Sequence, residues 1–196
     1  MFKKIAFLAT SVLALTTTTQ AVAADSLLER INNKGTITVG TEGTYAPFTY
    51  HDASGKLTGY DVEVTRAVGE KLGVTIEFKE TQWDAMLAGL KAGRFDVVAN
   101  QVALTTPERR ATFDKTEAYS WSGAMMLVRK DDDSIKSLDD VKGRKAAQTL
   151  SSNYGELATK LQADIVPIDG MAQGLLLIQQ KRADLTFNDS LALLDY

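Results

Sequence analysis

The stretch VTIEFKETQWDAMLAGLKAGRFDVVA, residues 74–99, decides the predicted fold of this chain. Residues 74–79 alternate apolar and polar side chains, which predicts a β-strand with one buried face. Residues 83–93 are predicted to form a helix that Gly93 ends, and residues 95–99 a second strand. A strand, a helix and a strand in succession predict two parallel strands joined by a helical crossover.

The same alternation extends to the amino-terminal side of this stretch. The β-branched run TITVG, residues 36–40, predicts a strand, and residues 48–60 predict a short hairpin. Residues 61–73 predict a helix with Asp61 as its N-cap and Gly73 as its stop. The apolar side chains of this helix that share one face are Val64, Ala67, Val68 and Leu72.

A short helix follows in LTTPERRATFD, residues 104–114. Thr106 is its predicted N-cap and Pro107 its first helical residue. Arg109 and Arg110 then lie near the amino end, where the helix dipole disfavours cations. We therefore interpret Arg109 as a side chain placed there to receive an anion, and Arg110 as a solvated residue of the helix surface.

Three strands with intervening helices predict a parallel sheet covered on both sides. Ligands of such sheets bind beyond the carboxyl ends of the strands. The loops expected to carry a binding site are therefore residues 41–47, 80–83 and 100–106.

The pattern breaks at residues 119–133, an extended apolar segment that ends in an acidic run, and then restarts. We interpret this segment as a crossover strand that leads to a second lobe. The elements predicted beyond it are a short helix or turn at 137–143, a strand at 144–150, a helix at 152–162, a strand at 164–168, a helix at 171–181, a strand at 183–188 and a helix from 189. The sequence thus predicts two α/β lobes, residues 25–121 and 122–196.

Residues 1–24 have the features of a cleavable signal peptide. Lys3 and Lys4 precede an apolar stretch, residues 5–15, that is too short to span a bilayer. AVA at 21–23 is a small-x-small cleavage signature. Because no Cys follows the apolar stretch, no lipid anchor is expected, and we expect the mature chain in the periplasm.

The composition of the 196 residues excludes several functional classes. The net charge is −3, or −5 without Lys3 and Lys4, and no basic stripe suggests a nucleic-acid partner. With no Cys and only His51, a zinc site or a Cys–His nucleophile is not expected. The glycine-rich signatures of dinucleotide and nucleotide binding are absent. We therefore expect no metal, no cofactor and no catalytic residue.

What remains is a set of side chains suited to a small zwitterion. Arg109 offers a planar fork to an α-carboxylate, together with backbone N–H groups near Ser152, and Asp189 offers a carboxylate to an α-ammonium. Tyr45 and Trp83 would flank the ligand side chain and exclude water. The further polar candidates on these loops are Glu42, Asn100, Gln101 and Asn153.

Three motifs together carry a family resemblance. GYDVE at 59–63, GRFDVVA at 93–99 and TPERR at 106–110 closely resemble family 3 extracellular solute-binding proteins, the polar amino-acid receptors of ABC importers. The likeness runs from about residue 30 to the end. It implies a periplasmic binding protein-like fold, a monomer with two lobes that close around an amino acid, and an inner-membrane ABC permease as partner. NQV at 100–102 resembles the cystine-binding subgroup.

The resemblance also implies a role for each site residue. Arg109 would bind the carboxylate with Ser152 and the Asn153 amide, and Asp189 would bind the ammonium. The residues implied to flank the side chain or to offer a backbone carbonyl are Tyr45, Trp83 and Gln101. The span from Asp96 to Arg109 is one residue longer than the family pattern. The hydroxyl that contacts the ammonium is then either missing, at Ala103, or supplied by Thr105.

The chain is also expected to be incomplete at its carboxyl end. The family has a return crossover and a last segment that completes the first lobe, and residues 189–196 end before both.

Several alternatives stay open at this point. The chain could be a cyclohexadienyl dehydratase-like enzyme with Glu42 as its acid, a ligand-sensing module, or a fragment that binds nothing. Arg109 could pair with a neighbouring glutamate, Trp83 could be a core residue, and Asp189 could cap the last helix. Glu42 could lie at the rim without touching a ligand.

Overall fold

The computed structural model describes residues 26–196, so the predicted signal peptide lies outside the described residues. In this part of the chain no helix is long and apolar enough to cross a membrane. The elements of the first half are α1 (Leu27–Lys34), β1 (Thr36–Thr41), β2 (Thr44–Tyr45), β3 (Thr49–His51), β4 (Leu57–Thr58), α2 (Tyr60–Leu72), β5 (Thr75–Glu80), α3 (Trp83–Lys91), β6 (Val97–Val98) and α4 (Pro107–Thr112). Those of the second half are β7 (Ala124–Val128), a 3₁₀-helix (Leu138–Val141), β8 (Lys145–Gln148), α5 (Asn153–Lys160), β9 (Asp164–Pro167), α6 (Met171–Gln179), β10 (Leu185–Asp189) and α7 (Ser190–Asp195).

The first sheet has the order β5–β1–β6, and all its strands are parallel, as the sequence predicts. Val39 of β1 lies opposite both Phe78 and Val97, so β1 is the central strand. Ile31, Ile37, Val39 and Ala99 form the buried cluster beside it. The carboxyl ends of the three strands therefore meet at one edge and place their loops together.

The predicted hairpin forms a small antiparallel sheet, β2–β3–β4, beside this edge. Its turn is closed by Asp52, whose carboxylate accepts hydrogen bonds from the backbone N–H groups of Ser54 and Lys56. Such a side-chain turn is a common use of aspartate.

The second sheet has the order β7–β10–β8–β9. β10, β8 and β9 are parallel, whereas β7 pairs antiparallel with β10. The core between this sheet and its helices contains Ile135, Val141, Ala146, Ala158, Leu185 and Phe187. The strand predicted at 119–133 is shorter than expected, and residues 113–123 before it form neither helix nor strand. The two main sheets lie on either side of the predicted lobe boundary at 121 and 122.

Two predictions for helix α2, its N-cap and its buried face, are wrong. Gly59, not Asp61, is the N-cap, and Asp61 is buried inside the first turn. The predicted apolar face is also wrong, because Val68 and Leu72 are each 48% exposed whereas Val62 and Gly69 are buried. The cause is a close approach of helix and sheet.

Gly69 is the point of that approach. A Cβ added to Gly69 would lie 2.5 Å from Ile76 Cγ1. Gly69 lets this face of the helix approach β5 closely, which the periodicity of the apolar residues does not signal.

Candidate functional site

The two halves of the chain enclose a cavity of about 40 Å³ between the edges of the two main sheets. Seven of the eleven residues predicted from the sequence line it, namely Glu42, Tyr45, Trp83, Asn100, Gln101, Ser152 and Asn153. The second half adds Gln148, Thr149, Tyr154, Ile168, Gly170, Met171, Thr186 and Asn188. A volume of this size holds only a few water molecules.

The cavity continues into a groove on each side. One groove, of about 450 Å³, shares Glu42 and Gly170 with the cavity and adds the acidic Glu80 and Asp169. The other, of about 610 Å³, is lined in part by Gln101, Ala103, Thr105, Tyr154 and Asp189. Three further predicted residues, Ala103, Thr105 and Asp189, thus lie beside the cavity rather than in its wall.

Glu42 follows β1 and points its carboxylate into this space. Its Oε2 accepts a hydrogen bond of 2.6 Å from Asn100 Nδ2, and Asn100 Oδ1 accepts one of 2.8 Å from the Glu42 N–H. Burial raises the pKa of Glu42, while the Asn100 bond opposes the rise. No Lys, Arg or His lies within 4.0 Å of its carboxylate in residues 26–196. The structure therefore presents a half-buried carboxyl group without a cationic partner among these residues.

Arg109 is only 5% exposed and bridges the two halves. Helix α4 positions it as predicted, since the Thr106 hydroxyl caps the helix by accepting a hydrogen bond from the Arg109 N–H. Its guanidinium donates to the Ala103 carbonyl at 3.1 Å and to the Ser151 carbonyl at 2.7 Å. It also lies 5.6 Å from the ring centroid of Trp83, and burial lowers its pKa.

The alternative pairing of Arg109 with a glutamate is not observed. Over the part of the chain that the structure describes, no carboxylate lies within 4.0 Å of its guanidinium. Nη1 and Nη2 each donate to a carbonyl oxygen instead, and these bonds use two of the five guanidinium N–H groups.

Arg110 lies on the helix surface, as the sequence predicts. It is exposed, but its Nη1 donates to the Leu104 carbonyl at 3.1 Å and to the Thr105 carbonyl at 2.6 Å. Arg110 therefore holds the loop that precedes α4.

Trp83 opens α3 and lines the cavity. Its indole Nε1 is the one buried side-chain nitrogen or oxygen in the described chain that has no hydrogen-bond partner. Leaving such a donor unpaired costs about 1–3 kcal/mol. The cavity wall thus carries an N–H group that a ligand oxygen could satisfy.

Tyr45 and Asn188 join the halves across the cavity. The Tyr45 hydroxyl donates to Asn188 Oδ1 at 2.7 Å, and the ring packs on Phe48 with centroids 5.5 Å apart. Burial raises the pKa of the Tyr45 hydroxyl, so it stays protonated and remains a donor.

Ser152 and Asp189 both serve as helix caps in this arrangement. Ser152 Oγ accepts from the Gly155 N–H at 2.9 Å, and Asp189 Oδ1 accepts from the Leu191 N–H at 2.8 Å. The second oxygen of Asp189 accepts hydrogen bonds from the hydroxyls of Ser122 and Tyr154. The capping alternative for Asp189 is therefore observed, and one carboxylate oxygen still faces the groove side chains.

Asp84 is a contact between the halves that sequence reasoning missed. Its carboxylate accepts hydrogen bonds from the backbone N–H groups of Leu150 and Ser151, at 3.2 and 2.9 Å, and from the Ser151 hydroxyl at 2.6 Å. Nothing in the local pattern of α3 signals this partner. Gln148 and Thr149, in contrast, lie at the carboxyl end of β8 and line the cavity. The expectation that ligands bind beyond the carboxyl ends of parallel strands could have identified both residues.

No metal centre is indicated for this part of the chain. Between residues 26 and 196, no three His, Cys, Asp or Glu side chains lie close enough together to hold an ion.

The comparisons with known proteins agree on one family. A sequence profile of the bacterial extracellular solute-binding proteins, family 3, matches residues 37–189. A probable amino-acid ABC transporter-binding protein of Haemophilus influenzae is 56% identical over 173 residues, which cover 88% of this chain and 67% of that protein. The L-cystine-binding protein TcyA of Bacillus subtilis is 54% identical over 167 residues, which cover 85% of this chain and 62% of that protein. The chain thus spans about two thirds of the length of these relatives.

Two solved structures show the same fold. The unliganded, open L-cystine solute receptor of Neisseria gonorrhoeae is 73% identical, with a TM-score of 0.52 over 88% of this chain and 72% of the receptor. An ancestral amino-acid-binding protein, a precursor of cyclohexadienyl dehydratase, is 35% identical, with a TM-score of 0.79 over 84% of this chain and 74% of that protein. The predicted periplasmic binding protein-like fold is therefore confirmed.

Proposed function

Because this chain belongs to the bacterial extracellular solute-binding proteins of family 3, we propose that it is the substrate-binding component of an amino-acid ABC importer. It would hold its ligand between two lobes, residues 25–121 and 122–196, in the periplasm and as a monomer. It would then present the ligand to an inner-membrane ABC permease. The observation that carries the proposal is the cavity between the two sheets, to which both halves contribute polar side chains.

The proposed ligand is L-cystine. TcyA is named for L-cystine binding, and the gonococcal receptor is described as an L-cystine receptor. Cystine has two zwitterionic ends joined by a disulfide, so at each end its site needs hydrogen-bond donors for a carboxylate and acceptors for an ammonium. The polar groups of this site are numerous enough for both.

One zwitterionic end would occupy the residues predicted from the sequence. The carboxylate would bind Arg109 and the amide groups of Ser152 and Asn153, and the ammonium would bind Asp189. A backbone carbonyl of Gln101 and a hydroxyl from Thr105, in place of the missing one at Ala103, would complete this end.

The other zwitterionic end would occupy the region of Glu42 and Trp83. The Glu42 carboxylate lacks a cationic partner in the described chain, and an ammonium would supply one. The Trp83 indole N–H has no acceptor there, and a carboxylate oxygen would supply one. Tyr45 and Trp83 would flank the disulfide, and Asn100 would keep Glu42 in place.

Capture would proceed by closure of the two halves. Hydrogen bonds already cross between them: Tyr45 and Arg109 donate to the second half, and Asp84 accepts from it. The TM-scores support this view, since the open receptor fits worse at 73% identity than the ancestral protein does at 35%. A different angle between the halves produces such a contrast without any change of fold.

No covalent step is part of this proposal. The relatives reported above are named as binding proteins or receptors. Incubation with prephenate or arogenate and measurement of product absorbance would reveal a dehydratase, and we expect no turnover.

Calorimetric titration with L-cystine and a panel of other amino acids tests the proposed function. We expect L-cystine to bind and Arg109→Ala to weaken binding by about 100-fold or more, since removing one partner of a buried charged pair costs about 3–5 kcal/mol. Arg30→Ala, which removes an exposed arginine of α1, is the control and should bind normally. Absence of binding to every amino acid, or equal binding by the two variants, would contradict the proposal.

A further inference from the structure

Asp61 is a buried carboxylate that the proposed ligand contacts do not use. It lies in the first turn of α2, is fully buried and does not line the cavity. Its Oδ2 accepts a hydrogen bond of 2.6 Å from the Gln101 backbone N–H, and its Oδ1 accepts one of 2.7 Å from Gln101 Nε2. Both oxygens of one carboxylate thus bind a single residue 40 positions away.

Gln101 has a backbone conformation that needs such support. Its φ is +50°, in the left-handed region that residues other than glycine seldom adopt. Residues persist there when the surrounding structure over-determines them. Gln101 lines both the cavity and the adjoining groove, and the preceding Asn100 holds Glu42. The conformation of Gln101 therefore sets the geometry of the loop at the end of β6.

The side chain of Gln101 is fixed from a second direction. Ser120 Oγ donates to Gln101 Oε1 at 2.8 Å, so the amide is held at both its nitrogen and its oxygen. Ser120 belongs to the extended segment between the two sheets, and the Ser122 hydroxyl of the same segment donates to Asp189. One chain of hydrogen bonds thus joins α2, the loop after β6 and the connection between the halves.

We propose that Asp61 is a positioning residue for ligand binding, which acts by clamping Gln101 in its left-handed conformation and by tying the loop after β6 to the connection between the halves. This inference rests on the proposed function, because the loop matters only if a ligand contacts it. The chemistry requires a carboxylate. Both groups of Gln101 that face Asp61 are donors, and an asparagine would turn an NH₂ group toward one of them.

The test compares three variants of the full chain. Asp61→Asn keeps the shape but loses one acceptor. The double variant Asp61→Asn, Gln101→Glu restores both bonds between residues 61 and 101, because the introduced amide accepts from the backbone N–H through its oxygen and donates to the introduced carboxylate through its NH₂ group. Glu70→Gln, which removes an exposed carboxylate from the same helix, is the matched control.

Two measurements are made on each variant. Calorimetry with L-cystine gives the affinity, and hydrogen exchange of the amides of residues 100–105 without ligand reports the clamp itself. We expect Asp61→Asn to weaken L-cystine binding at least tenfold and to speed exchange of the Gln101 amide at least tenfold. The double variant should recover most of the L-cystine affinity and most of the protection of the residue 101 amide from exchange. Glu70→Gln should match the unaltered chain in both measurements.

The outcomes separate this inference from the proposed function. If the unaltered chain binds no amino acid, the proposed function fails, and the positioning role fails with it even if exchange confirms the clamp. If L-cystine binds and Asp61→Asn lowers only the melting temperature, with unchanged affinity and exchange, the positioning role is wrong. Failure of the double variant to recover exchange would also overturn it.

Discussion

At the scale of single residues, the site is built from charged groups that the folded chain leaves incompletely paired. Glu42 has an amide partner but no cation within 4.0 Å among the described residues, and Arg109 faces two carbonyl oxygens. A buried charge without its counter-charge lowers the stability of the chain alone. A ligand that brings the missing counter-charge would form its most favourable contacts with these same groups. We therefore expect substitutions that remove such a charge to stabilise the unliganded chain and to weaken ligand binding.

Glu42→Gln tests whether this residue lowers the stability of the chain while it contributes to ligand affinity. Because burial raises the pKa of Glu42, the folded chain binds its proton more tightly than the unfolded chain does. The charged carboxylate therefore destabilises the fold above its ordinary pKa, and the cost vanishes below about pH 4. We expect Glu42→Gln to raise the melting temperature at about pH 7 but not at about pH 3.5, and to weaken L-cystine binding about tenfold or more.

Thermal denaturation at the two pH values and calorimetry provide the measurements. Glu77→Gln, at an exposed position of β5, is the control for general loss of a negative charge. A variant that loses both stability and affinity at neutral pH would show that Glu42 serves the fold rather than a ligand.

At the scale of secondary structure elements, the loops at the carboxyl ends of the strands converge on one region. Glu42 follows β1, Asn100 and Gln101 follow β6, and Thr149 follows β8. The parallel arrangement contributes to this convergence, since within each main sheet it brings the carboxyl ends of the parallel strands to one edge. Helix packing against the sheet then fixes how far apart those loops lie.

Gly69→Ala tests how closely α2 packs on β5. The added Cβ would lie 2.5 Å from Ile76 Cγ1 and 3.2 Å from the Val74 carbonyl oxygen, so helix or side chain must shift. Overpacking of this kind costs about 1–3 kcal/mol. We expect urea unfolding to show a loss in that range, and a smaller loss when Gly69→Ala is made in a chain that already carries Ile76→Ala, where the contact is gone.

Gly123→Ala is the matched control for this substitution. A Cβ there has no heavy atom within 4 Å, and the backbone φ is not in the left-handed region. Its stability should stay within about 0.5 kcal/mol of the unaltered chain, or rise slightly. Equal losses at Gly69 and Gly123 would contradict the packing argument.

At the scale of the whole molecule, the two halves are joined by few but specific hydrogen bonds around a small cavity. Asp84 contributes three of them, all to Leu150 and Ser151. Asp84 does not line the cavity, so in the proposed closure it would stabilise the closed arrangement without touching a ligand there. Such contacts shift the balance between open and closed states.

Asp84→Ala should therefore weaken L-cystine binding about tenfold, chiefly through faster dissociation. The physical reason is that the closed state loses bonds that the open state never had. Stopped-flow fluorescence of Trp83 measures the rates, and small-angle scattering of the unliganded chain should show a larger radius of gyration. Unchanged dissociation would indicate that the Asp84 contacts do not control closure.

The sequence by itself determined the fold class, because strand and helix periodicity are local properties that each segment carries alone. It also located seven of the fifteen residues of the cavity wall, since the loops after parallel strands need only the order of elements to be found. Seven of the eleven predicted site residues line the cavity, whereas Ala103, Thr105, Arg109 and Asp189 do not. Their roles toward a ligand stay predictions.

Only the tertiary structure decided which partners those residues meet. The bond from Gln101 to Asp61 spans 40 positions and that from Ser151 to Asp84 spans 67, so no periodicity signals either. The buried face of α2, the carbonyl partners of Arg109 and the burial of Asp61 also depend on how the packed elements approach one another. Local pattern states which side chains can pair, whereas three-dimensional packing selects the pairs, because hydrogen bonds and burial depend on distances between segments far apart in sequence.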